Sequence, residues 1–381
     1  MITDRSDESR AWQSQLELAI VPTFACNLRC SHCFVGERRR LAPMSLEHFL
    51  EALRAAEALG VRSLQVTGGE LFVYPHRLAV LQHLAGTGIP TGISTNGTRV
   101  SRDDVAVLQG SRVSLCLSLD GPEPLHDAMR GQGAFAKTRR AASQCVRYEV
   151  PFDVSSTVTR SSLPHVAATV RAAVTMGARS IHLSPLERLG GDSDRIAAER
   201  LDDEDCVDLM ARIAALRPTL PDGVQISTRN LGLRARAVNH PCAVCACWGE
   251  FCPSKKYWPT SLYLTPSGEV LPQSMHVHER YSLGNAFGRG LQEVIGAYWQ
   301  SARHRQFQAL CRYVYQDLIY GSDRPLFYWD ELLREASRLD PSDLPAYESV
   351  SHPYDHSEEI AEARRSGALA ERQFPLQFGS S

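Results

Sequence analysis

The stretch Thr23-Phe-Ala-Cys-Asn-Leu-Arg-Cys-Ser-His-Cys-Phe34 carries three closely spaced cysteines, Cys26, Cys30 and Cys33. They supply three thiolates, whereas a closed tetrahedral zinc site needs four ligands. An iron-sulfur cluster held by three thiolates leaves one iron open for a substrate or a cofactor. The stretch therefore indicates a cluster with an open iron. A zinc knuckle and three buried thiols are the alternatives.

A strand-like run from Val61 to Thr67 leads directly into Gly68-Gly69-Glu70. Two consecutive glycines after a strand allow the backbone to approach a ligand without a Cβ in the way. The carboxylate of Glu70 suits a cation. Gly-Gly-Glu alone is also a common turn, so its position after the strand is what makes it informative.

A second strand-like run, Val113 to Leu119, contains Ser118 near its end and is followed by Asp120-Gly121-Pro122 and Arg130. A hydroxyl at a strand end and a nearby guanidinium suit a ribose and a carboxylate. A turn with an aspartate cap is the simpler interpretation. Ser94-Thr95-Asn96-Gly97 closes another strand, and Asn-Gly is a turn signal in any protein.

Together these segments resemble the radical S-adenosylmethionine (SAM) superfamily, and the Ser-Leu-Asp-Gly-Pro block with the later Arg130-Gly131 resembles its SPASM-type enzymes. The resemblance implies a 4Fe-4S cluster on Cys26, Cys30 and Cys33, whose open iron is chelated by SAM. It also implies a set of SAM-binding residues, namely His32, Gly68, Gly69, Glu70, Ser118, Asp120 and Arg130. In the family the glutamate contacts the amino group of SAM, and the serine and arginine contact its ribose and carboxylate.

Strand and helix patterns alternate from Leu16 onward. Strands are predicted near 16–22, 61–67, 89–95, 113–119, 150–158 and 179–184, and helices near 45–60, 76–86, 101–109, 134–148, 163–177 and 202–216. The fold class is therefore α/β, and the family resemblance selects a partial (β/α)6 barrel over an open doubly wound sheet. The candidate residues follow strand ends, where active sites of such folds lie.

The length of 381 residues favours more than one domain. We predict a flexible N-terminus over 1–15, a radical SAM barrel over 16–217, a SPASM/Twitch-like auxiliary iron-sulfur domain over 218–315 and a helical extension over 316–381. A hairpin is expected from Ser261 to Pro272, and helices at Leu291 to Trp299, Pro325 to Arg338 and Glu358 to Arg372.

Four thiols crowd the segment from 242 to 252: Cys242, Cys245, Cys247 and Cys252. The preferred interpretation is one auxiliary 4Fe-4S cluster held by some set of these cysteines, with a tetrathiolate zinc site as the alternative. Gln273 stands where the family pattern has a cysteine, so the usual two auxiliary clusters are not expected. Cys116, Cys145 and Cys206 are expected to be core residues.

The composition excludes several classes of protein. No apolar run approaches the roughly 20 residues of a membrane span, and the first ten residues do not resemble a signal peptide. A net charge of −2 gives no case for nucleic-acid binding, and eleven cysteines then indicate metal chemistry in a cytoplasmic protein. The basic run Arg38-Arg39-Arg40 is expected to be a solvated loop, or else a contact for an acidic peptide or a phosphate.

The predicted function is that of a radical SAM enzyme that cleaves SAM to a 5′-deoxyadenosyl radical and removes hydrogen from a substrate. Oxidative maturation of a ribosomally made peptide is the favoured reaction. The alternatives are a dehydrogenase or epimerase of a sugar, aminocyclitol or other small intermediate, and a non-catalytic iron-sulfur or zinc scaffold. A reductant such as flavodoxin or ferredoxin is the expected protein partner.

Overall fold

The computed structural model describes residues 16–187, 194–228, 231–233, 261–298 and 301–345. These residues divide into two compact units. The first, here called the barrel unit, contains residues 17–228 and 264–268, and the second unit contains the other described residues.

Seven parallel strands form the sheet of the barrel unit. They are β1 Glu17–Thr23, β2 Ser63–Gly68, β3 Thr91–Thr95, β4 Val113–Ser118, β5 Phe152–Val158, β6 Ser180–Pro185 and β7 Gln225–Thr228. The helices between them are α1 Leu46–Leu59, α2 Arg77–Gly86, α3 Arg102–Leu108, α4 Glu123–Arg130, α5 Ala134–Arg147, α6 Val166–Met176, α7 Asp194–Ala198 and α8 Asp203–Leu216.

The strands neighbour one another in strict chain order from β1 to β7. A doubly wound sheet reverses its strand order at a switch point, whereas a (β/α) barrel does not. The α/β class and the partial barrel predicted from the sequence are therefore confirmed. Strand β7 was not predicted, because the sequence interpretation ended the barrel after the helix at 202–216. It pairs in parallel with β6.

The strand register places apolar and polar residues on opposite faces of this sheet. One row aligns Val66, Ile93, Leu115 and Phe152 across the sheet, and each of these residues is at most 2% exposed. The adjacent row aligns Ser94 with Cys116. The fully buried row is what holds the sheet under its helices.

The helix boundaries follow local signals in the sequence. In α1, the Ser45 hydroxyl accepts the backbone N–H of His48, and Gly60 ends the helix in the left-handed conformation at φ +63°. Phe49, Leu53 and other apolar residues of this helix are buried. The predicted stripe and N-cap at 45–60 are thus confirmed.

Apart from Leu264, the second unit contains β8 Leu231–Leu233, β9 Ser261–Leu264, β10 Glu269–Pro272, β11 Gly284–Asn285, β12 Leu326–Tyr328, α9 Leu291–Tyr298, α10 Ala302–Tyr313 and α11 Trp329–Ala336. Strands β10 and β11 are antiparallel, as are β12 and β8. The hairpin predicted at 261–272 is confirmed. The helix predicted from Pro325 is shorter, because β12 occupies its first part.

Gln273, which replaces the family's cysteine, closes the hairpin. Its backbone N–H donates to the Ser261 carbonyl at 2.8 Å, and its side-chain Oε1 accepts the Ser261 N–H at 3.2 Å. Gln273 is buried and has a positive φ of +63°. The position therefore has a structural role in this chain.

Four cysteines outside the proposed ligand sets are buried. Cys116, Cys145 and Cys206 lie in β4, α5 and α8, and Cys311 lies in an apolar cluster of the second unit with Phe307 and Leu310. The expectation that the first three are core residues is confirmed. The segment with Cys242, Cys245, Cys247 and Cys252 and the predicted helix at 358–372 lie outside the described residues.

Within the ranges that the structure describes, no helix is both long enough and apolar enough to cross a membrane.

Candidate active site

The three cysteines of the opening motif lie on the loop that follows β1. All three are half-buried. The loop turns at Cys30, whose carbonyl accepts the N–H of Cys33 at 3.2 Å, and it is fastened to α4 by a bond from Ser31 N–H to the Met129 carbonyl. The motif therefore lies at the carboxyl edge of the sheet, as predicted from its position after a strand.

Hydrogen-bond donors surround the sulfur atoms of this loop. The Leu28 N–H and the Asn96 Nδ2 lie 3.4 and 3.7 Å from the Cys26 Sγ. Arg130 Nη1 lies 4.0 Å from the Cys30 Sγ. Donors and a guanidinium at sulfur stabilise thiolates and the clusters that they hold.

Burial raises the pKa of the Cys26 and Cys30 thiols, and the Arg130 charge opposes this effect at Cys30. Thiols with raised pKa values remain protonated at neutral pH. A bound metal would deprotonate them, since a coordinating thiol loses its proton outright.

The basic run at 38–40 differs from the solvated loop that the sequence predicted. Arg38 Nη2 donates to the Phe34 carbonyl at 2.9 Å, and Arg39 Nη1 donates to the Leu28 carbonyl at 2.8 Å. Only Arg40 is fully exposed, beside Glu37. Two of the three arginines therefore brace the cysteine loop, because the short 3₁₀ turn Gly36–Arg40 directs them back toward it.

Gly68 and Gly69 allow a close approach, but its partner is the cysteine loop itself. A Cβ on Gly69 would lie 2.1 Å from the Ala25 carbonyl oxygen and 2.5 Å from the Phe24 carbonyl carbon. The Gly69 N–H donates to the Thr23 carbonyl at 2.8 Å. The glycines thus allow the end of β2 to pack against the first residues of the loop, and their predicted contact with SAM stays a prediction.

Glu70 is fully buried and joins the ends of β2 and β3. Its Oε1 accepts the Phe72 N–H at 3.1 Å and the Thr95 hydroxyl at 2.8 Å, and its Oε2 accepts the Asn96 N–H at 2.8 Å. Burial raises its pKa, although these three bonds favour the charged form. The Asn-Gly segment, which resembled an ordinary turn, therefore belongs to the site.

We expect Glu70→Gln to weaken SAM binding more than it lowers iron content. The amide cannot accept at both ends, so the Asn96 N–H or the Thr95 hydroxyl loses its partner, at about 1–3 kcal/mol. A cation at this position would lose a charge-assisted contact as well. Isothermal titration with SAM measures the first effect and iron analysis the second. Unchanged SAM affinity would mean that Glu70 only shapes the turn.

Asp120 and Arg130 form a buried ion pair beside the cysteine loop. Arg130 Nε donates to Asp120 Oδ2 and Arg130 Nη2 donates to Oδ1 at 3.2 Å, while the Thr157 N–H donates to Oδ1 at 2.9 Å. Burial alone would raise the pKa of Asp120, but the nearby Arg130 and His32 hold it at about 2. The carboxylate is therefore ionised and fixes the guanidinium next to Cys30.

Two histidines border this pair, and burial lowers the pKa of each to about 4. Both rings are therefore neutral at pH 7. His126 Nδ1 accepts the Asp120 N–H at 3.1 Å, and His32 Nε2 lies 3.4 Å from Arg130 Nη2. The Nδ1 of His32 is buried without a hydrogen-bond partner in the described residues, so it can bond to a ligand.

Ser118 is half-buried at the last position of β4, opposite Ser155 of β5. It shares the carboxyl edge with the cysteine loop, Glu70 and Asp120. The sequence missed Thr95, Asn96, Arg39, His126 and Thr157 as parts of this site. For Thr95 and Asn96, the Ser-Thr-Asn-Gly segment at the end of its strand was a partial signal in the sequence.

The three thiols of the cysteine loop suit a multinuclear cluster with an open iron. In the described part of the chain, no three His, Cys, Asp or Glu side chains converge as the ligands of one metal ion would. Three half-buried thiols, two of them with hydrogen-bond donors near the sulfur, agree with a 4Fe-4S cluster that has an open iron.

Residues 20–165 match the model of the Radical SAM superfamily. The chain is 24% identical over 280 residues to the antilisterial bacteriocin subtilosin biosynthesis protein AlbA of Bacillus subtilis, covering 72% of this chain and 58% of that protein. It is also 24% identical over 255 residues to the PqqA peptide cyclase of Methylocella silvestris, covering 66% of this chain and 65% of the cyclase.

The fold is similar to the crystal structure of Streptococcus suis SuiB bound to S-adenosylmethionine. The TM-score is 0.64 at 18% identity, and the match covers 77% of this chain and 68% of SuiB. The chain spans less than two thirds of the length of either curated relative.

Proposed function

We propose that this chain is a radical SAM enzyme whose SAM-binding 4Fe-4S cluster is held by Cys26, Cys30 and Cys33. One observation carries the proposal: three half-buried thiols, two of them with hydrogen-bond donors near the sulfur, lie at the same sheet edge as the buried Asp120–Arg130 pair. When bound, the cluster and SAM supply a 5′-deoxyadenosyl radical that removes hydrogen from a substrate carbon.

The protein's own residues bind and orient the cofactor. We assign SAM contacts to His32, Gly68, Gly69, Glu70, Ser118, Asp120 and Arg130. Among these, His32 offers an unused ring nitrogen, and Arg130 offers a guanidinium held in place by Asp120. Glu70 holds the ends of β2 and β3 together, so the edge is organised before SAM binds.

A ribosomally made peptide is the proposed substrate class. The names of both curated relatives support it, since one acts in bacteriocin biosynthesis and the other is a peptide cyclase. A sugar or other small intermediate remains the alternative. A flavodoxin or ferredoxin is the proposed electron donor, and the cytoplasm the proposed location.

Reductive cleavage of SAM tests the activity. The anaerobically reconstituted protein should form 5′-deoxyadenosine after addition of dithionite, and formation should increase with the correct substrate. Precursor peptides and small intermediates encoded near the gene are the two substrate sets to compare. A reconstituted protein that binds a 4Fe-4S cluster but forms no 5′-deoxyadenosine would contradict the proposal.

We further propose one auxiliary 4Fe-4S cluster on Cys242, Cys245, Cys247 and Cys252. If it is present, wild type should contain about eight irons, and a variant with alanine at Cys26, Cys30 and Cys33 about four, since each cluster contributes four. Iron analysis and electron paramagnetic resonance (EPR) after reduction are carried out on wild type and on the triple variant. A triple variant that contains one zinc and no iron would instead indicate a structural zinc module, and redox-neutral chemistry such as epimerisation would then be the better reading.

A further inference from the structure

The side chain of Arg39 spans the cysteine loop. Its Nη1 donates to the carbonyl of Leu28, between Cys26 and Cys30, at 2.8 Å. The same guanidinium is near enough to Cys33, the last of the three cysteines, for its charge to act on that thiol. The planar fork of arginine can bond the carbonyl and face the thiol at once, whereas the ammonium of lysine is a single point. Arg39 therefore acts on both halves of the segment that carries all three thiols.

The charge of Arg39 acts on the whole motif. It interacts electrostatically with Cys33, Cys26 and Cys30, and its Nε is buried without a hydrogen-bond partner among the described residues. Arg130 supplies a second cation from α4, on the side of Cys30. Two guanidinium groups from different elements thus face one set of thiols.

We propose that Arg39 is a positioning residue that stabilises the reduced state of the cluster held by Cys26, Cys30 and Cys33. This inference rests on the proposed function. Three thiolates around a 4Fe-4S cluster give a negatively charged group, and one-electron reduction adds a further negative charge. A fixed cation at the sulfurs stabilises the reduced form more than the oxidised form, so it raises the reduction potential.

The same run of arginines contains a matched control. Arg40 is adjacent in sequence and carries the same charge, but its side chain is 86% exposed and its nearest acidic partner is Glu37 at 3.8 Å. Solvent screens such a charge strongly. Arg39→Gln and Arg40→Gln therefore make the same change in net charge and differ in the contact to the loop.

The experiment is an EPR-monitored redox titration of the reconstituted protein without SAM, with iron analysis of each sample. Because the 242–252 segment is proposed to hold a second cluster, each titration is run in a background with alanine at Cys242, Cys245, Cys247 and Cys252. Arg39→Gln should lower the ratio of reduced to oxidised cluster about tenfold at the parent midpoint, the equivalent of one lost charge-assisted contact. Arg40→Gln should leave the ratio unchanged. Arg39→Lys retains the charge and should recover most of the shift.

Equal reduction midpoints for the parent and Arg39→Gln would overturn the inference. A midpoint shift in Arg40→Gln as large as that in Arg39→Gln would also overturn it. If Arg39→Gln does not retain iron, the reduction midpoints of Arg39→Lys and of an iron-binding Arg39→Ala are compared instead. A midpoint of Arg39→Lys close to that of the parent supports the role of the charge. Equal midpoints for Arg39→Lys and Arg39→Ala contradict it. A parent protein without any 4Fe-4S cluster would instead contradict the proposed function, so the two failures are distinguishable.

Discussion

Replacement of Cys30 by alanine is expected to abolish the formation of 5′-deoxyadenosine from SAM while leaving the fold intact. Cys30 is half-buried on a loop, and its sulfur faces the Arg130 guanidinium. Without this thiolate only two protein ligands remain for the cluster, so the iron to which SAM binds is lost or misplaced. The reconstituted variant should give no product after reduction with dithionite, with a circular dichroism spectrum like that of wild type.

Cys145→Ala is the matched control for this prediction. Cys145 is fully buried in α5, and its loss should cost about 1 kcal/mol of stability without affecting SAM cleavage. Turnover near the wild-type rate in Cys30→Ala would refute the assignment of the cluster to this loop.

Asp120→Asn is expected to produce the largest loss of stability among substitutions at the site. Asp120 is 1% exposed and is the bidentate partner of the Arg130 guanidinium. The amide leaves that guanidinium buried without its counter-ion, which typically costs about 3–5 kcal/mol. Urea unfolding of wild type and variant at pH 7 measures the difference.

Asp127→Asn, on the helix α4 that carries Arg130, provides the comparison. Asp127 is also buried, but it accepts the backbone N–H groups of Gly133 and Phe135, and no ion pair to it occurs in the described ranges. Its substitution should cost only about 1–2 kcal/mol. Equal losses for the two variants would show that the Asp120–Arg130 pair contributes no more than ordinary hydrogen bonds.

The contribution of the Asp120 charge to stability depends on pH with a defined sign. The folded pKa of Asp120 is lowered to about 2, below the value of about 3.9 in an unfolded chain. The stabilisation by its charge is therefore complete above about pH 4 and is lost as the pH falls toward 2. The difference in the free energy of unfolding between wild type and Asp120→Asn should therefore decrease as the pH falls from about 4 to 2.

Much of the barrel could be predicted from the sequence because its signals are local. Alternating apolar runs and helical stripes located six strands and most of the helices between them, although α4 was not predicted, and Ser45 and Gly60 mark the ends of α1. Strand β7 was missed. It has only four residues, and its pairing with β6 depends on a contact that is distant in the chain.

The sequence by itself determined the three-thiol motif, the α/β class and the strand ends that carry Glu70, Ser118 and Asp120. These depend on spacing and on patterns within a few residues. The tertiary structure alone decided how those side chains are used: Gly69 packs against the cysteine loop, Asp120 fixes Arg130, and Arg39 spans the loop. The physical reason is that such contacts join residues about ten or more positions apart in the chain, and only the folded backbone brings them within hydrogen-bonding distance.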